Sequence, residues 1–125
     1  EIPLRLVGSE MCIRDSDYSY KEALKYFISS EDIAENIIPT IIPGWDHSPR
    51  GGRNSLILTD YTPQAFKEHL EQVFDLVSKK KNKLCFVKAW NEWGEGNHLE
   101  PDLKYGLSFL ETLKVVKEKY LNLCR

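Results

Sequence analysis

The stretch Phe86-Val-Lys-Ala-Trp-Asn-Glu-Trp-Gly-Glu-Gly-Asn-His-Leu-Glu-Pro-Asp102 decides how the rest of the chain is interpreted. It continues an apolar run, residues 84–90, that holds one charged residue and is rich in strand-forming side chains. Two glycines, at positions 94 and 96, follow this run, and the pattern predicts a buried strand that leads into a loop. The loop carries the carboxylates of Glu92, Glu95 and Glu100. Ligands gather at the carboxyl ends of parallel strands, so this loop is the first candidate for a functional site.

Helical and strand patterns alternate along the chain. Apolar residues at helical spacing predict helices over residues 20–28, 63–80 and 104–121. Apolar and β-branched runs predict strands over residues 37–42, 56–58 and 84–90. Ser19 and Glu22 fit a capping box before the first helix, and Thr62 with Pro63 fits the start of the second. Strands that alternate with helices in this way indicate βαβ units and a parallel sheet.

The chain length limits which parallel fold is possible. A complete (β/α)8 barrel needs about 250 residues, and this chain has 125. Two or three parallel strands cannot form a closed sheet that is covered on both faces. We therefore expect an α/β fold that is a terminal part of a (β/α)8 TIM-like barrel. The isolated chain would then leave apolar surface uncovered and would be neither stably folded nor active.

The first sixteen residues are set apart from this interpretation. Residues 7–16 resemble the translation of a sequencing adaptor, and the alternative is an ordinary loop with a short strand over residues 2–7. We favour a non-native leader over residues 1–16 and expect the catalytic domain in residues 17–125. Met11 is the only methionine, so we also expect the chain to be a fragment.

Composition argues against several classes of function. A formal net charge of −2 gives no electrostatic reason to expect a nucleic-acid partner. No apolar run approaches the roughly 20 residues that cross a bilayer. Cys12, Cys85 and Cys124 lie far apart without CxxC pairs, and Cys85 is expected to be a buried thiol. We expect no disulfide framework, no metal site, no cofactor, and a reducing compartment such as the cytoplasm.

Two features near the second predicted helix are interpreted as structural. His69 lies beside the apolar stripe and is expected to be a surface or packing histidine, not a ligand. The lysines at the end of this helix are expected to form a solvated turn, where cations suit the helix dipole. They are Lys79, Lys80, Lys81 and Lys83.

A second polar loop is predicted over residues 43–54. Two prolines, three glycines and an asparagine predict irregular structure directly after the strand at 37–42. The side chains that could carry chemistry there are Trp45, Asp46, His47, Arg50 and Arg53. The structural alternative is that Trp45 closes the end of a core and that Asp46 caps a turn or pairs with Arg50. The residues of this loop alone leave both interpretations open.

The chemistry that these loops permit is that of a glycosidic bond. It needs two carboxyl groups, one protonated as an acid and one ionised as base or nucleophile. Glu92 and Glu95 are three residues apart on a glycine-flanked turn, a spacing that can bring their carboxyl groups together. Faces for sugar stacking come from Trp45, Trp90 and Trp93. Hydrogen-bond partners for sugar hydroxyls come from Asp46, Asn91 and His98. Acidic loops with aromatic residues are common, so the residues alone permit this chemistry without requiring it.

The sequence resembles a known family. Trp90-Asn-Glu-Trp-Gly-Glu-Gly-Asn97, with Leu99-Glu-Pro-Asp102 after it, is similar to the C-terminal signature of the WbsX-type glycosyltransferases. Pro43-Gly-Trp-Asp46 and Ser48-Pro-Arg50 occur in the matching order upstream. The resemblance covers residues 38–113. It implies a role in lipopolysaccharide and other surface-polysaccharide synthesis, and the C-terminal part of a barrel similar to the endo-α-mannosidases, a glycoside hydrolase family.

The resemblance also implies roles for individual residues. Glu92 matches the glutamate that removes a proton from the sugar 2-hydroxyl, on a route through an anhydro-sugar intermediate. Glu95 matches the acid/base that protonates the leaving oxygen. Asn91 and Trp93 would shape the same pocket.

The resemblance leaves the remaining candidates less defined. We expect Trp45 and Asp46 to contact sugar, and Arg50 to orient an acid or a donor phosphate. His98 stands where the family more often has tyrosine, so its role stays open. The expected partners are an oligosaccharide or glycan and a nucleotide-sugar or lipid-linked donor. Transfer, hydrolysis of the endo-α-mannosidase kind and non-catalytic glycan binding remain as alternatives.

Overall fold

The computed structural model describes residues 17–123, so the suspected leader lies outside the described residues. The α-helices are α1 (Tyr20–Phe27), α2 (Ser48–Gly51), α3 (Pro63–Lys79) and α4 (Ser108–Leu123). The strands are β1 (Asp17–Ser19), β2 (Thr40–Ile41), β3 (Trp45–Asp46), β4 (Ile57–Thr59), β5 (Phe86–Val87), β6 (Asn91–Glu92) and β7 (Asn97–His98). Single 3-10 turns cover Ser30–Ile33, Gly52–Asn54 and Trp93–Glu95. This mixture of helices and small sheets confirms the α/β class.

The strands pair in three small groups. β1 and β4 are parallel, with Tyr18 opposite Leu58, and β3 is antiparallel on the other side of β4. β2 and β5 are also parallel, with Ile41 opposite Val87. β6 and β7 form an antiparallel hairpin. The connection from β1 to β4 contains α1 and α2 as well as β2 and β3, and the connection from β2 to β5 contains α2 and α3 as well as β3 and β4. Parallel strands need such crossover connections, which usually include a helix.

Two apolar clusters hold the helices in place. Phe66, Leu70 and Val73 recur at helical spacing on α3 and are fully buried against α4. Tyr61 stacks on Phe109 of α4, with ring centroids 4.4 Å apart. The other cluster joins α1 to β4 and consists of Tyr20, Ala23, Leu24, Phe27, Ile42, Leu58 and Ala65. Burying a large apolar side chain contributes about 1.5–3 kcal/mol, so these clusters stabilise the fold. No helix within residues 17–123 is long and apolar enough to cross a membrane.

The helix boundaries follow local hydrogen bonds. The Thr62 hydroxyl accepts a hydrogen bond from Ala65 N at 3.2 Å, which confirms the predicted start of α3. The capping box predicted at Ser19 is wrong, since its side chain makes no cap hydrogen bond. α4 begins at Ser108 instead of near residue 104, because Asp102 Oδ1 accepts from the backbone N–H groups of Lys104 and Tyr105. These bonds hold residues 102–106 in a turn before the helix.

The strand predicted at residues 56–58 is confirmed by β4, whereas the other two strand predictions were wrong in length and one of them was wrong in burial. The run at residues 37–42 forms only the two-residue β2, and the run at residues 84–90 forms only β5. Phe86 is 54% exposed and Val87 is 38% exposed, whereas the sequence predicted a buried strand. Among the described residues β5 has one neighbour, β2, so its other edge is uncovered. Cys85 is half-buried, and burial raises the pKa of its thiol.

Two titratable side chains near α3 are buried, one as the sequence allowed and one against its prediction. His69 is fully buried, and its Nε2 accepts a hydrogen bond from Ile42 N at 3.0 Å, so it is a packing histidine and not a surface one. Burial lowers the pKa of His69 to about 4. Lys80 is also buried, contrary to the predicted solvated turn. Its ammonium donates to the carbonyls of Asp32, Ala34 and Ile37, in and just after the adjacent 3-10 turn.

Candidate functional site

Residues 43–54, which we call the loop half of the site, are more ordered than the sequence predicted. They contain β3, α2 and a 3-10 turn, so the expectation of irregular structure was wrong. Asp46 supplies the physical reason, because its Oδ1 accepts from the Ser48 backbone N–H at 2.9 Å and from the Ser48 hydroxyl at 2.5 Å. These bonds begin the short helix that carries Arg50. The structural alternative weighed for Asp46, capping a turn, is the arrangement observed.

Residues 91–98, which we call the hairpin half, carry the two candidate acids. Glu92 ends β6, and Glu95 ends the 3-10 turn that follows. Gly96 then reverses the chain with a positive φ of 59° before β7 begins. L-residues with side chains rarely adopt this conformation. The hairpin therefore presents both glutamates within a single turn.

Arg50 links the two halves. Its Nη2 lies 3.3 Å from Glu92 Oε1, and its Nε lies 3.5 Å from Glu95 Oε1. The two carboxyl groups are therefore on the same side of the hairpin, separated by no more than one guanidinium group. The Glu92 side chain is 40% exposed and that of Glu95 is 12% exposed. A planar guanidinium has donors in a fixed fork, so it can set the relative orientation of two carboxylates.

His47 adds a second contact to the deeper acid. Its Nδ1 lies 3.2 Å from Glu95 Oε1, the same oxygen that faces Arg50. The Ser55 hydroxyl donates to the His47 carbonyl at 3.1 Å and holds this part of the loop. The sequence placed His47 in the polar loop but gave it no role. Its pairing with Glu95 joins residues 48 positions apart, and no local pattern signals such a contact.

The aromatic residues near Glu92 and Glu95 in the sequence are held by different contacts. Trp93 and His98 stack with ring centroids 3.7 Å apart, and Trp93 Nε1 donates to Glu100 Oε2 at 3.1 Å. His98 Nε2 lies 3.3 Å from Asp102 Oδ2. The pKa of Asp102 is lowered, first by the hydrogen bond from the Tyr105 backbone and also by the one to His98. His98 therefore supports the Trp93 indole from one side, while 47% of Trp93 stays exposed.

Trp45, Trp90 and Asn91 complete the predicted site residues. Trp45 is half-buried against the cluster around α1, and Lys88 Nζ lies 4.0 Å from its ring centroid. Its ring is 6.3 Å from that of His47, the residue that contacts Glu95. Trp90 is 52% exposed, and Asn91 is exposed at the start of the hairpin. Within residues 17–123, no group of three or more His, Cys, Asp or Glu side chains could hold a metal ion.

Asn97 makes contacts beside the site that the sequence did not reveal. It is fully buried, and its Nδ2 donates to the carbonyls of Pro43 at 2.5 Å and Gly44 at 2.7 Å. Gly44 has a positive φ of 40°, and a Cβ there would lie 2.7 Å from the Gly96 carbonyl oxygen. The two halves therefore touch through backbone at this point. The sequence showed an asparagine after a glycine, which by itself predicts only a turn.

Comparison with known proteins identifies the family. A family model described as Glycosyltransferase WbsX matches residues 5–113, which is most of the chain. Two curated relatives, each named Uncharacterized protein WxcX and from two strains of Xanthomonas campestris pv. campestris, are 30% identical to it over 81 residues. The alignment covers 62% of this chain but only 12% of each relative. No solved structure matches the chain. The match over residues 5–113 confirms the resemblance seen in the motifs, and the chain belongs to the WbsX glycosyltransferase family.

Proposed function

We propose that this protein is a carbohydrate-active enzyme that forms glycosidic bonds with Glu92 and Glu95, as a WbsX-like glycosyltransferase in the synthesis of surface polysaccharide or lipopolysaccharide. The observation that carries the proposal is the position of Arg50, within 3.5 Å of an oxygen of both glutamates. Two carboxyl groups that flank one reaction centre are what glycosidic chemistry requires. Family membership supports sugar as the substrate class.

The two glutamates take different roles in the proposal. Glu92, whose side chain is 40% exposed, is reachable by a bound sugar and acts as the base that removes a hydroxyl proton. Glu95 is deeper and acts on the leaving oxygen. His47 and Arg50 both reach Glu95 through Oε1, so we assign the contact with the substrate to its Oε2. Arg50 is a positioning residue that orients both acids.

The aromatic side chains form the sugar-binding surface of this proposal. Trp90 and Trp93 are each about half exposed, although large apolar residues are usually buried. An indole that is held on one face and open on the other suits the apolar face of a sugar ring. The stacking of Trp93 on His98 and its bond to Glu100 fix the orientation of that indole. Trp45, beside His47, lines the same site, and Asn91 contacts sugar hydroxyls.

The fold expected from the sequence is part of the same proposal. The parallel pairs β1–β4 and β2–β5, each with a helix in its connection, support a C-terminal part of a (β/α)8 catalytic domain. The uncovered edge of β5 fits a strand that has a further neighbour in such a barrel. The donor would be a nucleotide-sugar or a lipid-linked sugar, and the compartment the cytoplasm.

Product analysis with the full-length protein tests the proposal. One incubation contains an oligosaccharide acceptor with a panel of nucleotide-sugar and lipid-linked donors, and a second contains an α-linked mannose oligosaccharide in water. We expect a lengthened glycan in the first. Shortened products would favour the endo-α-mannosidase-like hydrolase, and binding without turnover would favour a non-catalytic glycan-binding module.

Two substitutions connect the product to the acids. Glu92→Gln and Glu95→Gln should each lower kcat by about 10²–10⁴-fold, the range of an acid or base in proton transfer. Glu118→Gln, which changes an exposed carboxylate on α4, is the matched control and should keep wild-type kcat. Wild-type turnover by both site variants would overturn the proposed function.

A further inference from the structure

We propose that Asn97 is a positioning residue that holds the loop half and the hairpin half of the site in register. The inference rests on the proposed function, because the register matters for activity only if the acids act on sugar. Arg50 and Trp45 belong to the loop half, and the acids belong to the hairpin half. Asn97 is the buried side chain that joins the two backbones.

Asn97 contacts the hairpin half beside one of the acids and the loop half directly before Trp45. In the β6–β7 pair the backbone of Asn97 lies opposite Glu92. Its side chain donates to the carbonyls of Pro43 and Gly44, the two residues directly before Trp45. A shift of either backbone would therefore change the distance between the acids and the side chains that face them.

The chemistry of the side chain argues that its amide is kept for this purpose. Asn97 is fully buried, and its Oδ1 has no hydrogen-bond partner among the described residues. Leaving a buried acceptor unpaired costs stability, whereas an apolar residue of similar volume would avoid that cost. The two bonds from Nδ2 are what the amide gains in return. They fix the geometry of backbone that no regular strand pairing holds.

The backbones of the two halves approach each other closely at Gly44 and Gly96. A small relative movement would therefore change the position of Arg50 with respect to the acids. A Cβ at Gly44 would lie 2.7 Å from the Gly96 carbonyl oxygen, and a Cβ at Gly96 would lie 3.7 Å from Asp46 Cβ. The halves are thus in van der Waals contact beside the bonds of Asn97. Without these bonds the contact can slide, and Arg50 moves relative to Glu92 and Glu95.

The test combines hydrogen exchange with kinetics in the full-length protein. Asn97→Ala removes the amide, and the nearly isosteric Asn97→Asp keeps the volume but places a carboxylate against two carbonyl oxygens. Both should speed amide exchange in peptides covering residues 43–50 and 91–98 together. Both should also lower kcat by about 10–100-fold with a smaller change in KM, since a displacement near 1 Å can cost about a hundredfold.

Tyr20→Phe is the matched control. The Tyr20 hydroxyl donates to the Ile42 carbonyl, so this variant also loses a buried bond next to the loop half, but one that leads to α1. It should lose stability and keep wild-type kcat well below its unfolding temperature. Unchanged exchange in the two peptides in either Asn97 variant would overturn the positioning role, and so would an equal loss of kcat in Tyr20→Phe.

The exchange experiment also separates this inference from the proposed function. If Glu92→Gln and Glu95→Gln keep full activity, the proposed function fails, yet exchange in the Asn97 variants still reports whether the halves are joined there. If the glutamate variants lose turnover while folded Asn97→Ala and Asn97→Asp keep wild-type kcat, the positioning role alone is overturned.

Discussion

The α3–α4 helix pair and the candidate site are held together by different kinds of interaction. Between the helices, apolar side chains such as Leu70 and Val73 are fully buried. Each makes many weak contacts, which together stabilise the helix pair. Between the two halves of the site, a few polar contacts from Arg50, His47 and Asn97 set the geometry. The helix pair should therefore tolerate loss of a single polar group, whereas the site should not.

The largest effect on stability is expected in the helix pair. Leu70→Ala removes a fully buried side chain from the face of α3 and should lower the free energy of unfolding by about 2–5 kcal/mol. Gln64→Ala, at an exposed position of the same helix, is the control and should change it by less than about 0.5 kcal/mol. Urea unfolding measures both. Equal changes in the free energy of unfolding for the two variants would mean that burial between the helices does not stabilise the fold.

The buried histidine predicts how stability depends on pH. The pKa of His69 is lowered to about 4, against about 6.5 in an unfolded chain. The unfolded chain therefore binds the proton first, and stability is complete above about pH 6.5 and falls as the pH drops towards 4. The total loss is about 3 kcal/mol, because burial disfavours the charged form of the ring in the folded protein.

Urea unfolding at a series of pH values measures this loss. His69→Gln can still accept a hydrogen bond and does not titrate, so it should flatten the curve between pH 6.5 and 4. The contribution of Asp102 to stability is also lost on acidification. Because the pKa of Asp102 is lowered in the folded protein, this loss occurs only below its ordinary pKa near 3.8. A wild-type curve that is flat between pH 6.5 and 4 would contradict the burial of a neutral His69.

The guanidinium of Arg50 should matter to the site and hardly to stability. Arg50→Lys keeps the charge but loses the fork that reaches two carboxylates, so we expect kcat to fall about tenfold. The side chain is 59% exposed, and the free energy of unfolding should change by less than about 1 kcal/mol. Arg53→Lys, also exposed in the loop half, is the control. If Arg50→Lys lowered stability and left kcat unchanged, Arg50 would stabilise the fold and would not set the geometry of the site.

The smallest effect concerns helix caps. Thr62→Ala removes the bond to Ala65 N and should cost about 1 kcal/mol. Ser19→Ala should cost much less, since Ser19 makes no cap hydrogen bond although the sequence suggested one. Thermal unfolding of the two variants compares them. A larger loss for Ser19→Ala would show that the capping box predicted from the sequence forms in solution.

Sequence reasoning succeeded where the structure is local. The spacing of Phe66, Leu70 and Val73 predicted α3 and its buried face, because a helix repeats every 3.6 residues whatever surrounds it. The burial of Phe86 and Val87 was predicted wrongly, since a strand is buried only if neighbours cover it. Periodicity within one strand does not contain that information.

The sequence predicted which residues belong to the candidate site but not the hydrogen bonds and ion pairs that join them. The motif around Glu92 and Glu95 pointed to the acids, and the polar loop pointed to Arg50. The Asn97 amide donates hydrogen bonds to Pro43 and Gly44, which lie 54 and 53 positions earlier in the chain. No pattern along the chain predicts such a contact. The contact of His47 with Glu95 and the bonds of Asn97 were missed for this reason. Family resemblance reached the motif, while the hydrogen bonds that join its parts became visible only in three dimensions.

The most direct test of the central claim is a kinetic comparison of Glu92→Gln, Glu95→Gln and the double variant in the full-length protein. Residues that act as a unit on one bond lose most of the rate at the first substitution, so their effects are strongly non-additive. We predict that each single variant loses about 10²–10⁴-fold in kcat and that the double variant is hardly slower than the worse single one. Two losses that multiply, or wild-type kcat in either single variant, would contradict the pairing of these acids.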